Sequence, residues 1–400
     1  MNLKEKIKSL SATLLKEVIT NRRHLHTYPE LSFQEYKTAQ FVAQKLKSMG
    51  IEPTEGVAGT GLVAYIKGQN PESKVIALRA DIDALPIQEA NDVAYKSQHE
   101  GVMHACGHDV HTASLLGAAQ ILQNIKNEFE GTVKLIFQPG EEKIPGGASL
   151  MIKEGVLEPQ NHVPAPSGIL GQHVMPFLPV GTVGFKSGQY MASTDELYIR
   201  VIGKGGHGAM PNHCIDPVLI SAHMIVALQQ IVSRRAKPIL PSVLSFGKVI
   251  AQGATNVIPN EVYIEGTFRT FDEEWRKEAH IQMKQIAIGL VEAMGGKCDF
   301  DIQVGYPYLN NHPELTDRIR KQAEDYLGKE QVRDLELWMA AEDFAFYSQK
   351  IDACFYRLGT GNEAKKTTYS VHTPHFDIDE DALEIGMGLM AWLAVQELNS

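Results

Sequence analysis

The sequence predicts an α/β protein with an open mixed sheet and flanking helices, interrupted by an inserted α+β domain. Before residue 187 and after residue 306, short apolar segments alternate with helical segments, which is typical of a sheet covered by helices on both faces. Between these limits the predicted order is strand, helix, strand, strand, helix, strand, the split βαβ or ferredoxin-like unit. We therefore predict a discontinuous domain of residues 1–186 and 307–400 and an inserted domain of residues 187–306.

Helices begin the discontinuous domain. Leu14, Leu15, Val18 and Ile19 fall at helical spacing, and residues 35–49 form a second helical pattern. The elements predicted next are strands at 61–66 and 75–78, a helix at 113–127, and strands at 133–137 and 168–171. After the inserted domain come a helix at 313–327, a strand at 353–358 and a helix at 379–398.

The inserted domain shows a different pattern. Residues 197–202 alternate between apolar and polar side chains, as a half-exposed strand does. The elements predicted after it are a helix at 217–232, strands at 243–249 and 262–268, a helix at 273–294 and a strand at 298–304. These elements are sufficient for a small sheet with its own helices.

Composition limits the partners and the compartment. The chain has 38 basic and 48 acidic side chains, a formal net charge of −10, so it lacks the basic surface that nucleic acids or anionic membranes attract. No apolar run reaches the roughly 18 residues of a membrane span, and the first residues do not resemble a secretory signal. The four cysteines are too scattered for a disulfide framework. We expect a cytoplasmic protein that binds neither nucleic acid nor membrane.

Polar clusters follow several predicted strands. Residues 79–83 follow the strand ending at Leu78, residues 138–142 follow the strand ending at Phe137, and His173 follows the strand at 168–171. Residues 370–375 lie downstream of the last strand. Because ligands of open α/β sheets bind beyond the carboxyl ends of the strands, these clusters predict one shared site.

The segment from His104 to His111 holds four Cys or His side chains within eight residues. Borderline-soft divalent metals prefer nitrogen and sulfur donors, and carboxylates add harder oxygen donors. The segment therefore predicts a metal site. An alternative is a helix start with Asp109 as the N-cap and incidental histidines. His104 and His111 are each equally open to the roles of ligand, supporting donor or bystander.

Glu141 and Glu142 form a pair of carboxylates after Pro139 and Gly140. In an extended segment adjacent side chains point to opposite sides, so one carboxylate could bind a metal while the other faces a bound water. That division would suit metal-assisted hydrolysis. The alternative is two surface acids in a turn.

Three candidates lie in the inserted domain. His207 lies in a glycine-rich loop after a predicted strand, where close backbone approach allows it to reach a ligand. Arg269 is the residue type that clamps carboxylates in a bidentate fashion, although an Arg at a strand end is as often a surface residue. Asn256 is the third candidate.

Seven motifs run in order through nearly the whole chain, at 22–33, 79–86, 104–111, 138–142, 205–209, 256–259 and 341–345. Together they resemble the aminoacylase and carboxypeptidase superfamily of dinuclear metallohydrolases. The resemblance is to the branch with hippurate hydrolases, N-acyl-amino-acid and N-acetyldiaminopimelate deacetylases and auxin-conjugate amidohydrolases. It implies a zinc-exopeptidase-like catalytic domain with an inserted lid that also forms a homodimer contact.

The resemblance also implies roles for individual residues. Two divalent metal ions, zinc or manganese with cobalt or nickel also possible, would be held by Cys106, His108, Glu142, His173 and His372. The Cys106 thiolate would lie between the ions and Glu141 would be the general base. Asp81 keeps its place in the family motif, whereas Arg79 stands where much of the superfamily has His. His372 is preferred to His375 because it matches the family's His-Ser/Thr-Pro.

The expected reaction is hydrolysis of an N-acyl-L-amino acid to a carboxylate and a free amino acid. His207, from the partner's lid, would stabilise the tetrahedral oxyanion, and Asn256 and Arg269 would hold the carboxylate of the amino acid. One alternative is a metallo-dipeptidase or aminopeptidase of the same superfamily. Two others are a thiol hydrolase with Cys106 as nucleophile and a non-catalytic metal- or ligand-binding protein.

Overall fold

In a computed structural model, residues 2–160 and 162–400 are described, and the chain divides into two compact units. The large unit comprises the residues up to Tyr190, Asn310–Leu337 and Asp343–Ser400, and the small unit comprises Met191–Leu309 and Trp338–Glu342. Each unit has its own hydrophobic core. The short segment at 338–342 groups with the small unit, although the sequence-based boundaries assign it to the discontinuous domain.

The elements before the small unit are α1 (Leu3–Thr27), α2 (Tyr36–Ser48), β1 (Thr54–Val57), β2 (Gly61–Lys67), β3 (Val75–Asp81), α3 (His108–Asn124), β4 (Thr132–Gln138), α4 (Gly147–Lys153), β5 (Gly168–Pro179), β6 (Val183–Phe185) and β7 (Gly188–Met191). Asn2 caps α1, because its side chain accepts a hydrogen bond from the Glu5 N–H.

The elements that follow are β8 (Asp195–Ile202), β9 (Gly206–His207), α5 (Pro217–Leu228), β10 (Ser242–Ile250), β11 (Val257–Ile258), β12 (Glu261–Thr270), α6 (Glu273–Ala293), β13 (Lys297–Val304) and β14 (Leu309–Asn311). The last elements are α7 (Pro313–Leu327), β15 (Val332–Asp334), α8 (Ala345–Ser348), β16 (Asp352–Gly361) and α9 (Ala382–Leu398).

The large unit contains an eight-stranded sheet in the order β1-β2-β4-β3-β5-β16-β6-β15. The sheet is mixed, because β3 is parallel to β4 and β5 while β2 is antiparallel to β4. Helices α1, α3 and α9 pack on one another, and α3 and α9 also contact β3. Strands β3 and β4 are buried along their whole length, as expected of strands inside a covered sheet. The predicted open mixed sheet with flanking helices is confirmed.

The small unit contains a four-stranded antiparallel sheet in the order β10-β12-β8-β13. Its main elements follow one another as β8, α5, β10, β12, α6 and β13, the order that the sequence predicts. Along β8, buried residues alternate with more exposed ones, and Leu197, Ile199 and Val201 face the core with residues of α5 and α6. The alternation follows from the two-residue period of a strand with one covered face.

The predicted ends of several elements are wrong. Strand β3 continues to Asp81, β4 to Gln138 and β5 past His173, because main-chain pairing extends through polar residues that the prediction took as strand ends. Helix α3 begins at His108, five residues earlier than the apolar spacing indicates, after Gly107 with φ of 82°. Among the residues that the structure describes, no helix is both long and apolar enough to cross a membrane.

Candidate metal centre

The candidate centre lies in the large unit, at the carboxyl ends of adjacent parallel strands β3, β4 and β5. Asp81 and Gln138 are the last residues of β3 and β4, and they lie opposite each other in the sheet. The start of α3 brings His108 to the same edge, where it contacts Asp81 and the loop that follows β4. This arrangement is the expected position for a ligand site in an open α/β sheet.

Cys106, His108 and His173 form one group of possible metal donors, whose ligand atoms all lie within 4.8 Å of one another. The Cys106 Sγ lies 3.4 Å from His173 Nε2. The other ring nitrogen of His173 is 2.8 Å from the Val174 carbonyl oxygen. Because Nδ1 donates to that carbonyl, Nε2 presents its lone pair towards the thiol.

A second group consists of Cys106, Glu142 and His372, again within 4.8 Å. The His372 Nε2 lies 3.1 Å from Glu142 Oε1. His372 has a left-handed backbone with φ of 62°, and its N–H donates to the Ala105 carbonyl oxygen at 2.7 Å. A left-handed conformation is costly for a residue other than glycine, so this bond supports a conformation that aims the ring at the cluster. Cys106 belongs to both groups.

His108 has one engaged and one unsatisfied ring nitrogen. Its Nδ1 lies 3.1 Å from Asp83 Oδ1. Its Nε2 is buried and has no hydrogen-bond partner, although carboxylate oxygens of Asp81, Glu142 and Glu141 lie 3.7, 3.9 and 4.0 Å away. A buried nitrogen without a partner, surrounded by carboxylates just beyond hydrogen-bonding distance, fits a site for a cation.

The pKa values describe the cluster without a cation. Burial, with the neighbouring Glu142, raises the pKa of the Cys106 thiol, and burial lowers the pKa of His173 well below its ordinary value. Contacts with Cys106 and Glu142 raise the pKa of His372 to about 10. Protons therefore remain on Cys106 and His372 at neutral pH. Metal ligands of these types bind in their deprotonated forms, so a cation would replace protons that the cluster otherwise retains.

His111 is a supporting residue. Its Nδ1 lies 2.6 Å from Asp81 Oδ1, and its Nε2 accepts the Val174 N–H at 2.9 Å. Both ring nitrogens are thus engaged, although His111, Asp81 and His108 are close enough to be considered as a third donor group. Since Val174 follows His173 in β5, His111 fixes the main chain beside a candidate ligand.

His104 differs from its neighbours in the same segment. Both of its ring nitrogens are buried and have no hydrogen-bond partner, and burial lowers its pKa to about 4. Its ring lies 6.4 Å from the ring of His26. It belongs to none of the donor groups found among the described residues. Asp109 is not the N-cap of α3, because Gly107 precedes the helix, so this part of the alternative is wrong.

Glu141 and Glu142 both face the cluster. Each has an oxygen in one group with His108, and the Asp343 N–H lies 3.4 Å from Glu141 Oε1. The expected division to opposite sides is wrong, because the chain leaves β4 at Gln138 and turns at Gly140 with φ of 58°, so strand alternation does not apply. Glu141 is buried, so it is not a surface acid in a turn.

Arg79 and Asp343 are residues whose roles the sequence reasoning missed. The fully buried Arg79 guanidinium lies 2.6 Å from Asp81 Oδ2, 2.7 Å from Asp343 Oδ1 and 2.9 Å from Gln138 Oε1. Although burial opposes it, the electrostatic and hydrogen-bonding contacts with His108, His111 and Arg79 hold the pKa of Asp81 well below its ordinary value. An Arg inside an apolar run was the available signal, because a buried charge requires a partner.

The three remaining candidates lie in the small unit. His207 in β9 pairs with Val257 of β11, and the Gly208 N–H donates to the Asn256 carbonyl oxygen at 2.8 Å, so His207 and Asn256 lie on neighbouring segments. Arg269 lies on β12, and its Nη1 donates to the Met339 carbonyl oxygen at 3.0 Å. His207 is exposed and Arg269 is partly buried.

Comparisons with known proteins agree on one family. The family model described as peptidase family M20/M25/M40 matches residues 77–396. The chain is 45% identical over 311 residues to the N-acyl-L-amino acid amidohydrolase of Geobacillus stearothermophilus, covering 78% of this chain and 82% of that protein. It is 38% identical over 402 residues to thermostable carboxypeptidase 1 of Saccharolobus solfataricus, covering 100% of both.

A solved structure is similar along nearly the whole length. The YXEP protein of Bacillus subtilis, described as a dinuclear metal binding peptidase from the M20 family, superposes with a TM-score of 0.82. The two chains are 37% identical, and the match covers 97% of this chain and 99% of that one.

Proposed function

The chain belongs to peptidase family M20/M25/M40, and from that premise we propose that it is a metal-dependent amidohydrolase of N-acyl-L-amino acids. The products would be a carboxylate and a free amino acid. The observation that carries this proposal is the buried Glu141 carboxylate, 4.0 Å from an unsatisfied nitrogen of His108. A base beside a cation-binding cluster is the arrangement that metal-assisted hydrolysis requires.

We propose that two divalent metal ions, zinc or manganese with cobalt or nickel as further possibilities, are held by five side chains. These are Cys106, His108, Glu142, His173 and His372. Cys106 belongs to both donor groups, so its thiolate would help to hold both ions. Bound ions of this kind lower the pKa of a water molecule to roughly 7 and polarise a carbonyl group.

Glu141 has the role of general base. It accepts a proton from the attacking water and delivers it to the leaving amide nitrogen. The Asp343 N–H beside Oε1 holds the carboxyl group in place, and Oε2 is the oxygen that faces His108. Asp81 assists by holding His111 and, through it, the main chain beside His173.

We assign substrate recognition to His207, Asn256 and Arg269. An arginine and an amide suit the carboxylate of an amino acid, and a histidine suits a developing oxyanion. The residues would come partly from a second copy, in a homodimer formed through the small unit. Exposed apolar side chains on α5, such as Leu219 and Val226, support such a contact. The compartment would be the cytoplasm.

A carboxypeptidase of the same family is the second candidate, because one relative of full length carries that name. A dipeptidase or aminopeptidase would differ by recognising a free substrate amine. A thiol hydrolase is disfavoured, because burial raises the pKa of Cys106 and a nucleophilic cysteine needs a lowered one.

The test compares simple acyl amino acids with blocked and free dipeptides as substrates. Metal-free protein would be reloaded with Zn²⁺, Mn²⁺, Co²⁺ or Ni²⁺ and given N-acetyl and N-benzoyl amino acids, N-blocked dipeptides and free dipeptides. We expect the simple acyl amino acids to be hydrolysed with the highest kcat/KM. Faster release of the C-terminal amino acid from N-blocked dipeptides would favour the carboxypeptidase. No hydrolysis with any metal would contradict the proposal.

A further inference from the structure

We propose that Asp83 is a positioning residue, which fixes His108 and Glu142 relative to each other so that both can hold a metal ion. The inference rests on the proposed function, because it concerns two of the proposed ligands. The resemblance of the motifs assigns a place to Asp81 and gives no role to Asp83.

The contacts of Asp83 join three separate parts of the large unit. Asp83 lies two residues beyond β3 and is fully buried. Its Oδ1 is 3.1 Å from His108 Nδ1, and its Oδ2 accepts the Glu142 N–H at 3.0 Å and the Ser32 hydroxyl at 2.7 Å. One carboxylate therefore binds the first residue of α3, the loop after β4 and the segment between α1 and α2.

The Oδ1 contact determines which nitrogen of His108 is available. Since a carboxylate only accepts hydrogen bonds, His108 must carry a proton on Nδ1, so a metal ion can be bound only through Nε2. That nitrogen is the buried one without a partner. Asp81 cannot make this selection, because it approaches the opposite side of the ring, 3.7 Å from Nε2.

The Oδ2 contact fixes the loop that carries the glutamates. By accepting the main-chain N–H of Glu142, Asp83 sets the distance between that loop and the His108 ring. An amide at this position could not replace the carboxylate. It has one accepting oxygen, so its NH₂ group would face either the His108 N–H or the Glu142 N–H.

Residues 30–35 brace the same loop from the other side. Besides the Ser32 hydroxyl, the buried Glu35 carboxylate accepts the Gly140 N–H at 2.9 Å and the Phe33 N–H at 2.8 Å. Phe33 has φ of 64°, and a Cβ added at Gly140 would come within 2.4 Å of its ring. The Ala84 N–H donates to the Glu30 carbonyl oxygen at 2.8 Å. This segment, which we call the brace, gives a purpose to part of the motif at 22–33.

The experiment compares Asp83→Asn with the control Asp379→Asn. Asp379 is a buried aspartate of the same unit that accepts hydrogen bonds from Asn362, Lys365 and Asp381 and contacts no proposed ligand. Zn²⁺ affinity would be measured by competition with a chelating dye, the Co²⁺-loaded protein by its visible absorption, and the metal-free protein by urea unfolding. We expect Asp83→Asn to lower Zn²⁺ affinity about 10- to 100-fold and to shift the Co²⁺ absorption.

We expect Asp379→Asn to retain the wild-type affinity and absorption. Wild-type affinity and absorption in Asp83→Asn would overturn the proposal, and so would an equal loss of affinity in both variants. If Asp83→Asn does not fold, Ser32→Ala serves instead, with a smaller shift of the Co²⁺ absorption expected and an unchanged spectrum contradicting the proposal. None of these readouts depends on amide hydrolysis, so a wild-type protein that binds metal without hydrolysing any substrate would contradict only the proposed function.

Discussion

Two buried aspartates, one in each unit, each contact a histidine ring but belong to different kinds of hydrogen-bond network. In the small unit Asp195 accepts hydrogen bonds from Arg276 Nε and Nη2 at 3.0 and 2.7 Å, and from His280 Nε2 at 2.7 Å. In the large unit Asp83 also contacts a histidine ring, but the second nitrogen of that ring, on His108, has no partner.

The difference separates a structural network from a binding site. The Asp195 network pairs the carboxylate with an arginine and a histidine, so it needs no further ion. The Asp83 network ends at a buried ring nitrogen, His108 Nε2, which has no hydrogen-bond partner and lies 3.7, 3.9 and 4.0 Å from three carboxylates. Buried charge alone does not identify a functional site, since ion pairs also occur in purely structural networks. The distinguishing feature is the buried His108 nitrogen that has no hydrogen-bond partner and lies near several carboxylates.

The largest effect should come from metal binding. Zn²⁺ at about 1,000 times its Kd should stabilise the protein by about 4 kcal/mol, because it binds the folded state. Thermal unfolding with and without Zn²⁺ measures this. Cys106→Ser should lose most of the stabilisation, whereas Cys298→Ser, at a buried thiol of the small unit, should retain it. Equal stabilisation of both variants by Zn²⁺ would contradict the assignment of the metal site to the Cys106 cluster.

The second-largest effect tests the Asp195 network. Asp195→Ala should reduce the free energy of unfolding by about 3 kcal/mol, because it removes the buried carboxylate from the Arg276 guanidinium and leaves only the partly exposed Glu273 as its anionic partner. Urea unfolding of the metal-free protein measures the loss, and the response to Zn²⁺ should be unchanged. Glu261→Ala, which breaks an exposed pair with Arg200, should have little effect. A weaker Zn²⁺ response in Asp195→Ala would mean that the two networks are coupled.

Removing the proposed base should lower turnover without changing metal binding. Glu141→Gln should lower kcat at least about 100-fold, equivalent to about 2.7 kcal/mol, because an amide cannot accept the proton. The metal content, measured by elemental analysis, should remain that of the wild type. Glu154→Gln is the control, since the exposed Glu154 also accepts a main-chain N–H, from Ala58 at 2.8 Å, and contacts no proposed ligand. Turnover near the wild-type rate would exclude Glu141 as the base.

The smallest effect concerns acid pH. Burial alone would raise the pKa of Asp195, but His280 and Arg276 outweigh it and hold that pKa below its ordinary value. The carboxylate therefore stabilises the fold above its unfolded pKa of about 3.9, and this contribution is lost as the pH falls through the lower folded pKa. The stability difference between wild type and Asp195→Asn, from urea unfolding at pH values from about 6 to 3, should shrink at the acid end. A difference that grows on acidification would reverse the assigned sign.

Apolar periodicity predicted the sheet but not the ends of its strands. Strands β3 and β4 are recognisable because their inner residues are apolar, whereas apolar spacing alone ends β3 before Arg79 and Asp81. They remain inside the strand because their charges are paired with Asp343 and His111, which come from distant parts of the chain. Short strands such as β6 and β15 gave no pattern, since three residues that pair through the main chain leave no periodicity.

The candidate site was predictable where its residues cluster in sequence and not where they meet only in space. The segment from His104 to His111 and the Glu141–Glu142 pair are visible as local groups of donors. The contact between Asp83 and Ser32 joins positions 51 apart, and neither residue type is unusual in a loop. Such contacts require the folded chain, because no local pattern distinguishes them from ordinary polar residues.

The brace limits how the large unit can be truncated. The family match begins at residue 77, so a fragment cut at that boundary would keep every proposed ligand and the proposed base. It would lack Ser32, Phe33 and Glu35, and the Gly140 N–H would lose its acceptor. A minimal catalytic fragment designed from the family boundaries would thus carry a complete set of ligands on an unsupported loop.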